Sequence, residues 1–336
     1  MTLEELVGAQ LAVGLPGPEV TDDVLACLRR LHVQSVVVFS RNFTSVEQFT
    51  GLRRRLCQAL GREPILMVDH EGGRIIRFSS GVTRFPDALS LGRARDVAAI
   101  ERQGEVEAGE LRRLGIGVNL APCADVLVDG SDPIIGDRAY GSDPALVSAC
   151  AAARIRGLQT HRVAACAKHF PGLGAVPRDP HRILPTIRLT RDAMERVHVV
   201  PFQEAIRAGV AMVMSSHVCY PGLGEPDGLP ATFSPRLIQG WLRDRLGFQG
   251  LILTDDLEMG ALRTLGSIGQ AAVKSVKAGH DLLLICSNLA LVDQAAIELH
   301  KSYNNKELDI GKLEETSRKL ARLRQVFSLD SLECPP

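Results

Sequence analysis

Residues 163–174 read VAACAKHFPGLG. Five apolar side chains run without a polar one between them, and Lys168 and His169 follow where the run stops. Such an uninterrupted run suits a strand covered on both faces, as in a parallel sheet enclosed by helices. The Pro171-Gly172 turn ends it, so the two basic groups fall at the strand's C-terminal end.

The same unit recurs on either side. Apolar or β-branched runs occupy residues 10–14, 35–39, 65–69, 116–120, 210–215, 250–254 and 281–286. Amphipathic stretches alternate with them near 20–31, 46–60, 93–114, 144–160, 191–208, 235–246, 268–278 and 289–300. Eight alternations predict an α/β chain folded as a (β/α)8 TIM-type barrel. A further helix over 310–327, capped by Asp309, is expected on the barrel's outside, with a frayed tail ending in Cys334-Pro335-Pro336. No repeat or long linker divides residues 1–336, so a single domain is expected. An open doubly wound sheet shares the alternation, but only Leu15-Pro16-Gly17-Pro18 follows the first strand, not a Gly-rich phosphate loop.

Lysine plus arginine total 39 and so do aspartate plus glutamate, leaving no electrostatic footprint for nucleic acid or an anionic membrane. No apolar run approaches the roughly 18 residues a membrane helix needs. Glu4 and Glu5 stand where a signal peptide carries positive charge, and the eight cysteines are scattered without close pairs. Together these predict a cytoplasmic protein whose cysteines are packing residues, with neither disulfide scaffold nor zinc site.

The barrel reading gives the strand ends their meaning, because catalytic groups gather at the C-terminal rim. The third strand ends in Asp69-His70-Glu71, the fifth in Lys168-His169, the sixth in Ser215-Ser216-His217 and the seventh in Thr254-Asp255-Asp256. One such acid alone reads as a cap or turn; a set converging on one rim reads as a site. Beyond Lys168-His169 lies Asp179-Pro180-His181, close enough for the carboxylate to hold one imidazole nitrogen and leave the other for acid–base chemistry. The alternative is a turn bond from Asp179 to its own backbone, with His181 simply exposed. The local pattern leaves both open.

KHFPG followed by D-x-H, with VDHEGGRIIRF (68–78) and GDRAY (136–140) upstream and around it and TDDLEMGA (254–261) downstream, resembles glycoside hydrolase family 3. The match is to its single-domain bacterial branch of β-N-acetylglucosaminidases, and it runs from about residue 10 to 300. The resemblance implies that Asp255 is the nucleophile, His181 the general acid/base and Asp179 its partner. It implies that Asp69, Arg77, Arg138, Lys168 and His169 hold the sugar in the −1 subsite, with His217 on a strand end facing it. Asp256 competes with Asp255 by proximity, but successive strand residues point to opposite sides. Glu71 reads as a brace for the Gly72-Gly73 turn or a partner for an arginine. Departures from the family pattern are Leu173, where many relatives carry a second histidine, Pro180, where they carry a small residue, and His70, where glutamine is common.

The implied chemistry is retaining hydrolysis of a β-linked N-acetylglucosaminide, such as a cell-wall fragment, with no metal or cofactor. Aromatic residues make up only 4% of the chain, which favours a small glycoside over a long stacked polysaccharide. Three other readings stay open at this point. They are a phosphorylase on the same site, a Schiff-base lyase built on Lys168, and a sugar-binding protein without turnover.

Overall fold

The computed structural model describes residues 1–331 and Cys334. Eight parallel strands close into a barrel in sequence order. They are β1 Leu11–Gly14, β2 Ser35–Val38, β3 Ile65–Val68, β4 Val118–Asn119, β5 Ala164–Phe170, β6 Met212–Ser215, β7 Leu251–Asp256 and β8 Leu282–Ile285. Closure is made by β1 on β8, with Val13 opposite Ile285, so the free edges of a doubly wound sheet are absent.

Side chains alternate across each strand as the pleat requires. Ala12, Val37, Met67, Cys166, Met214, Leu253 and Leu284 fill the barrel interior. Val13, Val36, Val68, Ala167, Val213, Ile252 and Ile285 face out and pack under the helices. The strands read as uninterrupted apolar runs because both faces are buried.

The last helix, Ile310–Val326, starts at Asp309, whose carboxylate accepts from Gly311 N at 2.8 Å. It packs outside the sheet, across the end at which the strands begin. Leu320, Leu323 and Phe327 join the interior cluster. Arg324 donates to Glu63 O just before β3, and Thr316 to Asp281 just before β8. With that mouth covered, the opposite, C-terminal mouth is where a small molecule can enter.

Several elements differ from the sequence expectation. The stretch 93–114 is two helices, Ala88–Ala94 and Val97–Arg113, broken where Arg95 turns left-handed and Asp96 caps the second through Ala99 N at 2.9 Å. The stretch 191–208 is interrupted by a π turn at Met194–His198 before the helix Val200–Arg207, in which Pro201 has no N–H to donate. β4 is only two residues long, because Asn119 pairs through its side chain with both His70 N and His70 O, at 3.0 and 2.9 Å. An unforeseen helix, Leu3–Ala9, is held by a Thr2/Glu5 capping box.

The cysteine expectation is corrected at one point. Cys57 and Cys334 form a disulfide with Cα atoms 5.8 Å apart across 277 residues of sequence. Spacing along the chain conceals this, since the pair meets only when the C-terminal segment returns to the helix Val46–Leu60. Cys123, Cys150, Cys166, Cys219 and Cys286 are buried free thiols, as anticipated. Residues 335–336, expected to fray, lie outside the described residues. Among the described residues no helix is long and apolar enough to cross a membrane.

Candidate active site

The ends of β3 and β5 meet in a buried ion network. Lys168 Nζ lies 2.6 Å from Asp69 Oδ1 and 2.6 Å from Glu71 Oε1. Arg138 grips Glu71 through two parallel bonds, Nε to Oε2 at 2.8 Å and Nη2 to Oε1 at 2.9 Å. Burial works against the Glu71 carboxylate, but Arg138 and Lys168 hold its pKa well below the usual range. Burial likewise opposes the Lys168 ammonium, and Asp69 and Glu71 overcome it, raising its pKa. A lysine so paired stays protonated, which argues against the Schiff-base reading. Arg77 reaches Asp69 from further off, at 3.5 Å, with its guanidinium 5.7 Å above the Phe39 ring. Glu71 therefore pairs with an arginine, one of its two expected roles, and it is what orients Arg138.

His169 and His217 lie behind this network, each held by its ring nitrogens. His169 Nδ1 is 2.7 Å from Asp125 Oδ2, and its Nε2 is 3.4 Å from Arg138 Nη2. With Arg138 donating, the imidazole carries its proton on Nδ1, bonded to Asp125. Asp125 also accepts from the backbone N–H of Leu173 at 2.6 Å and of His169 at 3.3 Å. His217 contacts Thr232 Oγ1 at 2.6 Å and donates from Nε2 to Asp256 O at 3.0 Å. Both its nitrogens are thus engaged by protein, so it offers the site its ring rather than a free hydrogen bond. Burial pushes its pKa down.

The two adjacent acids of β7 take separate directions. Asp256 Oδ1 accepts from Glu258 N at 3.1 Å and from Cys286 N at 3.3 Å. Burial, with Glu258 and Asp255 nearby, pushes its pKa up to about 7. For Asp255, burial raises the pKa, but His169, His217, the Asp256 N–H and His181 outweigh it and the net shift is down. Of the two, Asp255 is the one kept ionised among imidazoles, as a nucleophile requires.

Asp179 and His181 come together in both of the ways the sequence left open. Asp179 Oδ1 accepts from His181 N at 2.8 Å, closing the turn, and lies 2.7 Å from His181 Nδ1. The His181 side chain is 55% exposed, with Nε2 making no hydrogen bond among the described residues. The loop docks on the segment after β7: Gly260 N donates to His181 O and Ala261 N to Pro180 O, both at 3.0 Å. Pro180 and Leu173, the two departures in this loop, are both buried, Leu173 within the main core cluster.

Two groups have metal-ligating donors close together among the described residues. One is Cys57, Glu63 and Cys334, whose thiols are tied up in the disulfide. The other is Cys123, Asp125 and His169, where Cys123 donates to Asp125 and burial keeps its thiol pKa well up. Their polar atoms satisfy one another. Asp125 is the site residue the sequence reading overlooked, because it sits in the irregular stretch after β4 and finds His169 only through space.

A closed (β/α)8 barrel whose C-terminal rim gathers an ionised aspartate, a His–Asp pair and paired cations has the layout of an enzyme active site. The chain belongs to glycosyl hydrolase family 3: the family model described as "Glycosyl hydrolase family 3 N terminal domain" matches residues 2–323. It is 38% identical over 298 residues to a beta-hexosaminidase of Thiobacillus denitrificans, covering 86% of this chain and 81% of that one. Among solved structures it resembles a glycoside hydrolase family 3 beta-N-acetylglucosaminidase from a Paenibacillus species, with TM-score 0.94 and 34% identity. That similarity covers 98% of this chain but 63% of the Paenibacillus chain. It also resembles NagZ from Neisseria gonorrhoeae in complex with N-trifluoroacetyl-D-glucosamine, with TM-score 0.78, 30% identity, and coverage of 96% and 98%.

Proposed function

We propose that this chain is an exo-acting, retaining β-N-acetylglucosaminidase that removes terminal N-acetylglucosamine from small glycosides such as cell-wall fragments. Asp255 attacks the anomeric carbon while His181 gives its proton to the departing oxygen, so the glycosidic bond breaks as a glycosyl ester forms. His181 then takes a proton from water, whose oxygen displaces Asp255 and restores the β configuration. Asp179 orients the imidazole. Asp69, Arg77, Arg138 and Lys168 bind the sugar hydroxyls and N-acetyl group, with His169 holding Arg138 in place and His217 backing Asp255.

The observation that carries this reading is the docking of Pro180-His181 on Gly260-Ala261, which brings the dyad against the segment that follows Asp255. The names of the relatives support the sugar assigned. Incubation with 4-nitrophenyl N-acetyl-β-glucosaminide should release nitrophenol, and Asp255→Ala should abolish it. Equal rates in the two proteins would overturn the assignment.

A dyad base, unlike a lone carboxylate, does not repel an anionic acceptor, so phosphorolysis is a second reading of the same site. Product analysis with and without phosphate separates them, since only a phosphorylase releases the sugar 1-phosphate. The proposed setting is one barrel unit over residues 1–336 in the cytoplasm. Cell fractionation tests that compartment.

A further inference from the structure

β2 and β3 run in register, with Val37 opposite Met67 and Val38 opposite Val68. The next pair along is Phe39 and Asp69, and alternation turns both toward the barrel interior, as it does Val37 and Met67. Phe39 packs half-buried against that interior cluster, beside the carboxylate assigned to the sugar. Its place is fixed from behind. Phe39 N donates to Asn42 Oδ1 at 2.9 Å, and Asn42 Nδ2 donates to Leu15 O at 3.1 Å and Gly17 O at 2.8 Å. The Arg41 guanidinium lies over the ring, 4.4 Å from its centre. Arg41 itself donates to Leu15 O at 2.8 Å and to Cys286 O, bridging the ends of β1 and β8 where the barrel closes.

Arg77 needs such a support. Arg138 is locked by the two parallel bonds to Glu71, at 2.8 and 2.9 Å. Arg77 sits on the irregular stretch after β3 and has one polar contact among the described residues, Asp69 at 3.5 Å. Its Nε is buried without a hydrogen bond. A single contact that long leaves the guanidinium plane free to turn. The Phe39 ring, its centre 5.7 Å from Arg77 Cζ, supplies a second hold.

We propose that Phe39 is a positioning residue for sugar binding: its ring, steadied by Arg41, sets the plane in which Arg77 meets the substrate. The proposal rests on the glycosidase reading above, which assigns Arg77 to the sugar. In it neither Phe39 nor Arg41 touches the reacting atoms. A cation over an aromatic face is held without a directional hydrogen bond, so the guanidinium N–H groups stay free to point at sugar oxygens. A second carboxylate in place of the ring would take up those donors itself.

The test is a double-mutant cycle read on 4-nitrophenyl N-acetyl-β-glucosaminide. Phe39→Leu keeps the barrel mouth apolar and removes the ring. It should lower kcat/KM by about 3- to 10-fold, with KM carrying most of the change, as loss of a binding contact requires. Phe39→Tyr, which keeps the ring, should recover most of the loss. In Arg77→Met protein no guanidinium remains to be aimed, so adding Phe39→Leu should cost less than about 1.5-fold more. A Phe39→Leu loss of the same size in both backgrounds, or Phe39→Tyr as slow as Phe39→Leu, overturns the proposal. Arg77→Met at wild-type kcat/KM overturns the assignment of Arg77 to the sugar, and this inference with it. If the wild-type protein turns over nothing, the hydrolase reading fails, and the same cycle is read on calorimetric binding of N-acetylglucosamine. A ring-dependent affinity that vanishes in Arg77→Met protein upholds the positioning there. No binding, or equal losses in both backgrounds, overturns it.

Discussion

Asp125 Oδ2 lies 2.7 Å from His169 Nδ1, and both residues are buried beneath the rim that carries Asp255. The site thus holds two His–Asp pairs, one exposed at His181 and one enclosed at His169. In Asp125→Asn the amide keeps an oxygen for Leu173 N but turns an N–H toward His169 Nδ1. The imidazole must then move its proton to Nε2, where it meets the Arg138 guanidinium 3.4 Å away. Losing that charge-assisted bond should cost about 10- to 100-fold in kcat/KM. Steady-state kinetics read it beside a melting curve that stays close to wild type. A variant of unchanged kcat/KM would show that the enclosed pair plays no part in catalysis.

Glu71 accepts two bonds from Arg138 and a third contact from Lys168, with a side chain only 5% exposed. Glu71→Gln leaves those two buried cations with Asp69 as the remaining nearby acid. Breaking a buried network from one side should cost about 3 to 5 kcal/mol of stability, readable by urea unfolding. Adding Lys168→Met removes one stranded charge and should recover part of the loss. A double variant no more stable than Glu71→Gln alone would contradict this account.

How far these pairs can be read from sequence depends on where each residue sits. Lys168, Asp69 and Asp255 are legible because a charged residue ending an uninterrupted apolar run has to be explained by a rim. His181 and Asp179 are legible because they lie two apart, so their contact needs no fold. Asp125 belongs to neither case: its partner is 44 residues away, and β4, the strand that positions it, is largely replaced by side-chain bonds from Asn119. The barrel follows from local apolar runs repeated eight times. The placement of helix Ile310–Val326 over the strand origins does not, because Leu320, Leu323 and Phe327 would make an apolar stripe against any surface. The Cys57–Cys334 pairing is hidden for the same reason, being set by where the chain returns.

His70, standing where glutamine is common in the family, is buried, and its pKa is pushed down to about 4 by burial and by Arg154 and Arg77. The unfolded chain, with an ordinary histidine near 6.5, binds the proton first. Stability contributed by neutral His70 is therefore complete above about pH 6.5 and is lost as pH falls toward 4, to a total of about 3 kcal/mol. Asp256 and Glu107, both raised to about 7, act oppositely and cost stability as pH rises toward 7. His70→Gln should flatten the acid limb of a plot of Tm against pH and leave the neutral limb alone. An acid limb that superimposes on wild type would remove His70 from the explanation.

Gly260 makes room for the loop that carries His181. A Cβ there would lie 2.5 Å from His181 O and 2.6 Å from Arg182 O, both backbone atoms that cannot swing aside. Gly260→Ala must therefore push the loop off its dock and weaken the 3.0 Å bond from Gly260 N to His181 O. Displacing an acid/base group by about 1 Å can cost up to about 100-fold in rate, so kcat should fall by 10- to 100-fold. Tm should fall only modestly, because His181, Arg182 and Ile183 are exposed and Pro180 is the one buried residue of the displaced dock. Gly17→Ala, with no neighbouring atom within 4 Å of the added carbon, serves as the control and should keep wild-type kcat. Near-normal kcat in Gly260→Ala would mean that His181 does its work from some other position of the loop, and that the dock beside Asp255 is not what turnover requires.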